Sequence, residues 1–507
     1  MTNSATTVIG LLQGGASQAN ALSAPGTAPL TYHGLRKLVA DTVATLNDNG
    51  IGRNDRVAIV LDNGPQMASA FISVAAGATA APLNPGYRAD EFEFYLTDLN
   101  AKLLIVEANK DSPAVAVATK LKIPIARLQT QPESGAGCFS LLFSATSSSV
   151  TNGGVGAAED VALVLHTSGT TSRPKIVPLK QRNICASAHH IRQTLAFTAQ
   201  DRGLNIMPLF HIHGLIAGIL APLSAGGEVF CSSGFNALKF FGWMSEARPT
   251  WYSGVPTMHQ AILTRAGKSA DVIKTNPLRF IRSSSSSMPT QVIRELEAVF
   301  NAPVVEAYSM TEAAHQMTSN PLPPGKRKPG SVGVAAGPEV CVLDESGNPV
   351  PRGTTGELAI RGPNVMSGYE NNPKANAEAF VNGWFRTGDQ GVMDDEGYVT
   401  ITGRLKEIIN RGGEKISPRE VDEVLMDHPA VAQCVTFAIA HDKLGEDVAA
   451  VVVLKEGIAA NERELRDFAA IHLADFKVPR KIIFRDEIPK GATGKLQRIG
   501  LAQKLGL

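Results

Sequence analysis

The 507-residue chain has few cysteines, no excess of charge of either sign and no polybasic tract. Its five cysteines are far apart and form no C-x-x-C pair, which is typical of reduced thiols in an intracellular protein. The 48 basic and 47 acidic residues nearly balance, at a net charge of +1, so we expect no nucleic-acid partner.

Targeting and membrane signals are also lacking. The N-terminal "MTNSATTVIG" has neither a basic start nor an apolar core, and the longest apolar stretch, near "LIAGILAPL", is too short to cross a bilayer. The C-terminal "KLGL" is not the S-K-L peroxisomal signal. We therefore expect a cytoplasmic protein with no membrane partner. Whether it is a monomer or a homo-oligomer stays open.

Strand and helix patterns alternate through most of the chain. "DRVAIVLDNG" predicts a buried strand, "PQMASAFISVAAG" a helix rich in small residues, and "ATAAPLNP" a second strand. This alternation predicts a parallel sheet flanked by helices. The length exceeds what one core usually contains, so several domains are expected. Residues 129–160, which include a run of Gly, Ser and Thr, predict a connection rather than a core element.

The pattern changes in the last third. Short runs between turns, such as "GSVGV" and "GELAIRG", predict a β-rich module, a distorted barrel, at about 326–403. Beyond it, Ser417 is a predicted helix cap, with Pro418 in the first turn and Glu420 completing a capping box. We thus expect an α/β fold with a large N-terminal domain of layered subdomains, 1–403, and a small α+β C-terminal domain, 404–507.

A candidate phosphate-binding loop follows an apolar run in "VLHTSGTTSRPKIV", residues 164–177. It lacks the G-x-x-x-x-G-K-[ST] spacing of a P-loop. Small residues nevertheless let backbone N–H groups approach an anion, hydroxyls add donors and a lysine adds positive charge. A string of this composition more often forms a simple turn. The candidate ligands in it are Thr167, Ser168, Gly169, Thr170, Thr171 and Lys175.

The stretch "EAYSMTE", residues 306–312, places an aromatic ring, hydroxyls and an acid together. Tyr308 offers a stacking surface for a base, Thr311 a donor to a phosphate, and Glu312 a ligand for Mg²⁺. "WFRTGD" ends in Asp389, a suitable acceptor for two ribose hydroxyls. These residues predict a nucleotide site.

Two further stretches carry basic residues near the C-terminal domain. "GRLKEIINRGGEKIS" contains Arg404 and Lys406, and "PKGATGKLQR" carries Lys495 on a glycine-bearing loop. Each of the five stretches could separately be a turn, a solvated charge or a capped helix. Five of them in this order are hard to attribute to turns.

Together these stretches resemble the core motifs of the adenylate-forming superfamily, which contains acyl-CoA synthetases, luciferases and adenylation domains. The match covers nearly the whole chain. One departure is Ser172, which stands where the family has a glycine after the threonine pair. A serine there is strained if the position needs positive φ. The resemblance implies an AMP-binding N-terminal domain and a mobile C-terminal lid with its hinge at Lys406.

The reaction implied by the resemblance has two steps. A carboxylate attacks the α-phosphate of ATP to form an acyl-adenylate and pyrophosphate, and coenzyme A (CoA) then displaces AMP. Lys495 would neutralise charge in the first step, while the loop 167–175 holds the β- and γ-phosphates. Rotation of the lid would then replace Lys495 with a CoA-binding loop of Arg411, Gly412, Gly413, Glu414 and Lys415.

The remaining assignments also follow from the resemblance. The catalytic set is Lys495, Thr311, Glu312 and His211, and Mg²⁺ would be held by Glu312 and Thr167. The nucleotide-binding set comprises the loop residues and Ser285, Glu306, Ala307, Tyr308, Thr311, Asp389, Arg404 and Lys495.

The acid-binding stretches are polar. A pocket for a fatty tail should be lined by apolar residues, but "PLFHIHGL", "IRSSSSSMP" and "TEAAHQM" supply imidazoles and hydroxyls. The candidate substrate-binding residues are His211, His213, Ser283, Ser285, Ser286 and His315. Arg282 either joins them or is paired structurally.

These stretches, with "NRGGEKISPREVDEVL", are similar to those of the oxalate–CoA ligases of plants and fungi. The expected reaction converts oxalate, ATP and CoA into oxalyl-CoA, AMP and pyrophosphate. The alternatives are a medium-chain fatty or aromatic acid–CoA ligase and an adenylation module that acylates a separate carrier protein. Retention of Glu312 and Lys495 argues against a non-catalytic nucleotide-binding protein.

Overall fold

The computed structural model describes residues 5–144, 149–167, 174–489 and 496–507. Four β-sheets, of nine, seven, five and five strands, define its architecture. None of the helices within these ranges combines the length and apolar character that a bilayer crossing requires.

The described residues contain 26 strands, numbered in chain order. The first thirteen are β1 (Asn20–Ala24), β2 (Thr27–Thr31), β3 (Arg56–Val60), β4 (Thr79–Pro82), β5 (Leu103–Glu107), β6 (Ile125–Thr130), β7 (Phe139–Phe143), β8 (Val161–His166), β9 (Ile176–Lys180), β10 (Arg202–Asn205), β11 (Glu228–Cys231), β12 (Trp251–Gly254) and β13 (Phe280–Ser284). The others are β14 (Val304–Met310), β15 (His315–Ser319), β16 (Val334–Ala335), β17 (Glu339–Leu343), β18 (Thr355–Arg361), β19 (Phe380–Val381), β20 (Trp384–Met393), β21 (Val399–Arg404), β22 (Ile409–Arg411), β23 (Glu414–Ile416), β24 (Val431–His441), β25 (Gly445–Leu454) and β26 (Lys481–Phe484).

Fifteen α-helices accompany these strands in the same part of the chain. They are α1 (Val8–Leu11), α2 (Tyr32–Asp48), α3 (Pro65–Gly77), α4 (Ala89–Asp98), α5 (Pro113–Lys120), α6 (Gln181–Thr194), α7 (Ala221–Ser224), α8 (Phe240–Ala247), α9 (Pro256–Ala266), α10 (Ala270–Thr275), α11 (Thr290–Phe300), α12 (Pro373–Ala379), α13 (Pro418–Met426), α14 (Glu462–His472) and α15 (Leu501–Lys504). A π-helix spans His213–Leu220, and 3₁₀ helices span Leu12–Gly14, Pro132–Ser134, Gly267–Ser269, Thr311–Ala313 and Asp475–Lys477.

The seven-stranded sheet has the order β7-β6-β5-β3-β4-β8-β9, and its inner pairs are parallel. This confirms the predicted alternation of strands and helices. Strand β7 is a correction, because it lies within the segment predicted as a connection and pairs antiparallel with β6. Its five residues, "FSLLF", are too few to show a strand period beside the Ser-rich run that follows.

The nine-stranded sheet has the order β16-β15-β14-β13-β12-β10-β11-β1-β2. Strands β10, β12, β13 and β14 run parallel, so their carboxyl ends meet at one edge. Ser285 follows β13 at this edge, and Thr311 follows β14 before the chain returns along β15. The fold therefore places two of the predicted site motifs side by side.

The third sheet, β17 to β21, is antiparallel and confirms the β-rich module. The fourth sheet, β22 to β26, packs against α13 and α14 and has a core of its own, in agreement with the predicted small α+β unit. Lys406 is exposed in the turn that joins the two sheets. The domain boundary at 403/404 stays a prediction.

The N-terminus of α13 confirms one half of the predicted capping box and corrects the other. The Ser417 hydroxyl accepts from the Glu420 backbone N–H at 3.4 Å, as expected of a cap. The Glu420 carboxylate instead accepts from Lys477 Nζ at 2.7 Å. An ammonium group from a distant segment is a stronger donor than a neutral backbone N–H, and sequence-local reasoning cannot anticipate it.

We expect Ser417→Ala to loosen α13, because it removes the cap and a hydrogen bond from the hydroxyl to the Thr402 carbonyl. A lost cap costs about 1 kcal/mol, which corresponds to about fivefold faster amide exchange along the helix. Hydrogen exchange measured by mass spectrometry tests this. Glu420→Gln is the control and should change exchange by less than about twofold, since exposed ion pairs contribute little. A larger effect for Glu420→Gln would contradict the assignment.

Candidate active site

A fully buried arginine lies on β13 next to the carboxyl edge of the nine-stranded sheet. One Arg282 terminal nitrogen lies 3.3 Å from His213 Nε2 and 3.1 Å from His315 Nε2, and the other donates to Gln316 Oε1 at 3.3 Å. Within the described ranges, no Asp or Glu forms an ion pair with this guanidinium. Burial lowers the pKa of Arg282 to about 9, which leaves it charged at neutral pH.

The protonation of the two imidazoles follows from this arginine. A guanidinium only donates, so we assign both Nε2 atoms as acceptors and the hydrogen of each ring to Nδ1. His213 Nδ1, 3.0 Å from Ser285 Oγ, therefore donates to that hydroxyl. The Ser285 hydrogen is then available for another acceptor. The rings of His213 and His315 stack, with their centroids 4.8 Å apart.

Three residues in or next to this cluster have an unusual backbone conformation. Ser285 has φ of 73°, Ala314 of 47° and His315 of 105°. Positive φ is uncommon for residues other than glycine and persists only where surrounding structure holds it, often at functional sites. Antiparallel pairing of His315 with Met310 supplies such a restraint.

Three predicted nucleotide-binding side chains meet between β14 and the β-rich sheet. The Tyr308 hydroxyl donates to one oxygen of Asp389, and an Arg404 terminal nitrogen lies 3.4 Å from the other. Burial and the adjacent Asp389 charge raise the pKa of Tyr308 well above its ordinary value, so the phenol stays protonated. The fold thus joins motifs that are about 80 and 15 residues apart in the chain.

A second group of predicted residues meets around a tyrosine that the sequence motifs did not indicate. The Tyr369 hydroxyl donates to Glu312 Oε1 at 2.7 Å, and Lys175 Nζ lies 4.4 Å from the centre of its ring. The backbone N–H of Thr167 donates to the Lys175 carbonyl at 3.0 Å, which joins the two ends of the phosphate-binding motif. Tyr369 lies in an irregular segment of the β-rich module, where no periodic pattern indicates a site.

Ser253 is a second residue that no sequence motif indicated. Its hydroxyl oxygen lies 2.7 Å from His213 Nε2, on the side of the ring away from Ser285. It belongs to β12, and only the parallel pairing of β12 with β13 places it there.

The other predicted residues of the large domain have varied positions. His211 is half-buried just before the π-helix, Ser283 is buried on β13, and Ser286 is exposed after that strand. The Ala307 carbonyl accepts from Ser284 Oγ at 2.9 Å. The roles assigned to them stay predictions. Ser168, Gly169, Thr170, Thr171, Ser172 and Lys495 lie outside the described residues.

The predicted CoA-binding loop is the tight turn between β22 and β23. Gly412 and Gly413 have φ of 62° and 100°, a conformation that glycine adopts without strain, while Glu414 and Lys415 are exposed. Arg411 Nε donates to Asp447 at 2.7 Å.

The chemistry of Glu312 fits a magnesium ion that takes most of its ligands from phosphates. Within the described ranges, no group of three or more His, Cys, Asp or Glu side chains could hold a metal ion. Mg²⁺ commonly binds through one or two carboxylates with phosphate and water oxygens. The single Glu312 carboxylate is buried and accepts from Tyr369, whose ring Lys175 also contacts, and this arrangement is compatible with that mode.

Known proteins are similar to this chain over most of its length. Residues 15–370 match the AMP-binding enzyme family, and residues 420–495 match the AMP-binding enzyme C-terminal domain. The oxalate–CoA ligase of Arabidopsis thaliana is 44% identical over 98% of both chains. That of Saccharomyces cerevisiae is 43% identical over 89% of this chain and 87% of its own. The crystal structure of ATP-bound MatB from Rhodopseudomonas palustris covers 98% of both chains at 28% identity, with a TM-score of 0.88.

Glu306 is a buried acid whose carboxylate accepts from the Gly330 N–H at 3.1 Å. Burial raises its pKa from 4.5 to about 8. Between these pH values the folded state binds a proton that the unfolded state has released. The free energy of unfolding therefore falls as the pH rises from 4.5 to 8.

We expect Glu306→Gln to remove this contribution, because the amide still accepts from Gly330 but does not titrate. The variant should match the parent near pH 5 and exceed its stability at pH 8, by on the order of a few kcal/mol. Thermal unfolding of both proteins between about pH 5 and pH 8.5 measures the difference. A difference that is the same at every pH would contradict the assigned titration.

Proposed function

We propose that this chain, which belongs to the family of AMP-binding enzymes, joins oxalate to CoA. It is an ATP-dependent acid–CoA ligase that releases AMP and pyrophosphate, as its family and full-length relatives indicate. The choice of oxalate rests on the buried cluster around Arg282, and two relatives are oxalate–CoA ligases.

Oxalate carries two adjacent carboxylates, so a site that activates one must accommodate the negative charge of the other beside it. Arg282 contributes a buried positive charge with neutral partners, and such a charge strongly favours a nearby anion. The Ser285 hydroxyl has a hydrogen available for the bound carboxylate. A long apolar tail would offer neither an anion to the Arg282 charge nor an acceptor to the Ser285 hydroxyl, which disfavours a fatty acid. The substrate-binding set that we propose is His211, His213, Ser283, Ser285, Ser286 and His315, with Arg282 behind it.

In the first step the reacting carboxylate attacks the α-phosphate of ATP, and pyrophosphate leaves. An anion then approaches a polyanion, so positive charge must lie between them. We assign this role to Lys495, with Thr311 as a phosphate donor. Mg²⁺, held by Glu312, would screen the phosphate charges when bound.

The nucleotide would lie between β14 and the β-rich sheet. Tyr308 and Ala307 would adjoin the base, Asp389 would accept from the ribose hydroxyls, and the loop 167–175 would hold the β- and γ-phosphates.

In the second step the CoA thiol attacks the acyl carbon and AMP leaves. Rotation about Lys406 would bring the loop 411–415 to the site for this step.

We expect oxalate to be the preferred acid. Its kcat/KM in a pyrophosphate-release assay should exceed that of malonate, acetate, hexanoate and 4-coumarate by at least about tenfold, because only oxalate places a second carboxylate at the reacting centre. Chromatography should detect AMP and oxalyl-CoA. A preference for hexanoate or 4-coumarate would reject oxalate while keeping the ligase class, and formation of ADP would reject the mechanism.

We expect Arg282→Met to lower kcat/KM for oxalate by about tenfold to a hundredfold, the usual effect of losing a charged partner. The KM for ATP should change little, and turnover of acetate should fall much less than that of oxalate. Arg279→Met is the matched control, because this arginine, one residue before β13, pairs with Asp201 instead. An equal loss for oxalate and acetate would show that Arg282 has only a structural role.

A further inference from the structure

The guanidinium of Arg498 lies between two carboxylates in the small C-terminal unit. One terminal nitrogen forms an ion pair with Asp422 of α13, and the other lies 3.5 Å from Glu407, in the turn between β21 and β22. The three side chains are mostly removed from solvent, at 24%, 13% and 18% exposure for Arg498, Asp422 and Glu407. Ion pairs at this depth are weakly screened and restrict their partners more than surface pairs do.

Asp422 fixes one side of this arrangement. Its other oxygen accepts from the Thr436 backbone N–H at 2.5 Å, and Cys434 Sγ lies 3.8 Å from the same oxygen. Both partners belong to β24, a long strand of the fourth sheet. Arg498 is therefore linked, through Asp422, to the fourth sheet.

Glu407 lies on the other side, directly after Lys406, the proposed hinge. Its backbone N–H donates to the Arg404 carbonyl at 2.8 Å, and the Arg404 side chain approaches Asp389 in the proposed nucleotide site. Arg498 thus connects the fourth sheet with the turn that leads to the proposed nucleotide site.

We propose that Glu407, through Arg498, is a positioning residue for adenylation, because it holds Arg498, three residues after Lys495 in the chain, to the turn after the hinge. Lys495 precedes Arg498 by three residues, so their Cα atoms are at most about 11 Å apart. Holding Arg498 therefore restricts where Lys495 can reach. This inference rests on the role proposed above for Lys495.

Glu407→Gln is the informative variant. Replacing Arg498 would leave two buried carboxylates without a counterion and could unfold the unit. Glu407→Gln leaves the Arg498–Asp422 pair in place and removes the negative charge that attracts Arg498 to the turn. Adenylation is measured as acid-dependent exchange of pyrophosphate into ATP, and the second step as thioester formation from supplied acyl-adenylate and CoA. Both use the preferred acid of the substrate panel.

We expect Glu407→Gln to slow adenylation by about tenfold or more through kcat, the size of effect that a small misplacement of a catalytic group produces. Thioester formation should stay within about twofold, because Lys495 is not assigned to that step. Glu407→Asp should recover part of the adenylation rate. An equal loss in both steps, or no loss in either, would overturn the inference.

Two further variants separate this inference from the function on which it depends. Lys477→Gln removes the exposed ion pair to Glu420 on the same helix, α13, and should leave both steps unchanged. Lys495→Ala should lose adenylation and keep thioester formation. If Lys495→Ala kept adenylation, the proposed role of the lysine would fail. If it lost adenylation and Glu407→Gln did not, only the positioning role would fail.

Discussion

Arg282 carries a positive charge that the fold encloses on β13, among neutral partners within the described part of the chain. This one charge determines the state of its neighbours. Because the guanidinium can only donate, it requires unprotonated Nε2 atoms on His213 and His315, and the chain of donors then continues to Ser285. An enclosure of this kind is unfavourable for folding alone, and the proposed anionic substrate is argued from it.

Two hydrogen-bonded contacts connect the nine-stranded sheet with the β-rich module. The first is the contact of Tyr308 with Asp389, and the second that of Glu312 with Tyr369. Both depend on where β14 ends, since Tyr308 lies near the end of the strand and Glu312 follows shortly after it. The proposed nucleotide site is therefore formed by a junction between sheets, and a small displacement of either sheet would separate its two halves.

Local sequence patterns predicted the elements whose stability is mainly local. The strand–helix alternation and the Ser417 cap are of this kind, because buried apolar runs and capping hydroxyls act within a few residues. The failures involve pairings between elements, which the residue pattern of a single stretch does not show. Strand β7 depends on pairing with β6, Glu420 is captured by Lys477, and Tyr369 reaches Glu312 from 57 residues away.

The sequence by itself determined the chemical inventory of this protein, namely hydroxyls, imidazoles and carboxylates in the order typical of its family, and hence the class of reaction. Residue types and short spacings are sufficient for that, because they define which groups can donate, accept or carry charge. Only the tertiary structure decided whether Arg282 faces the imidazoles or a structural carboxylate. It also decided which ring nitrogen of each imidazole we assign as the one that carries the hydrogen. Those properties depend on burial and on contacts between strands, which no short stretch of sequence contains.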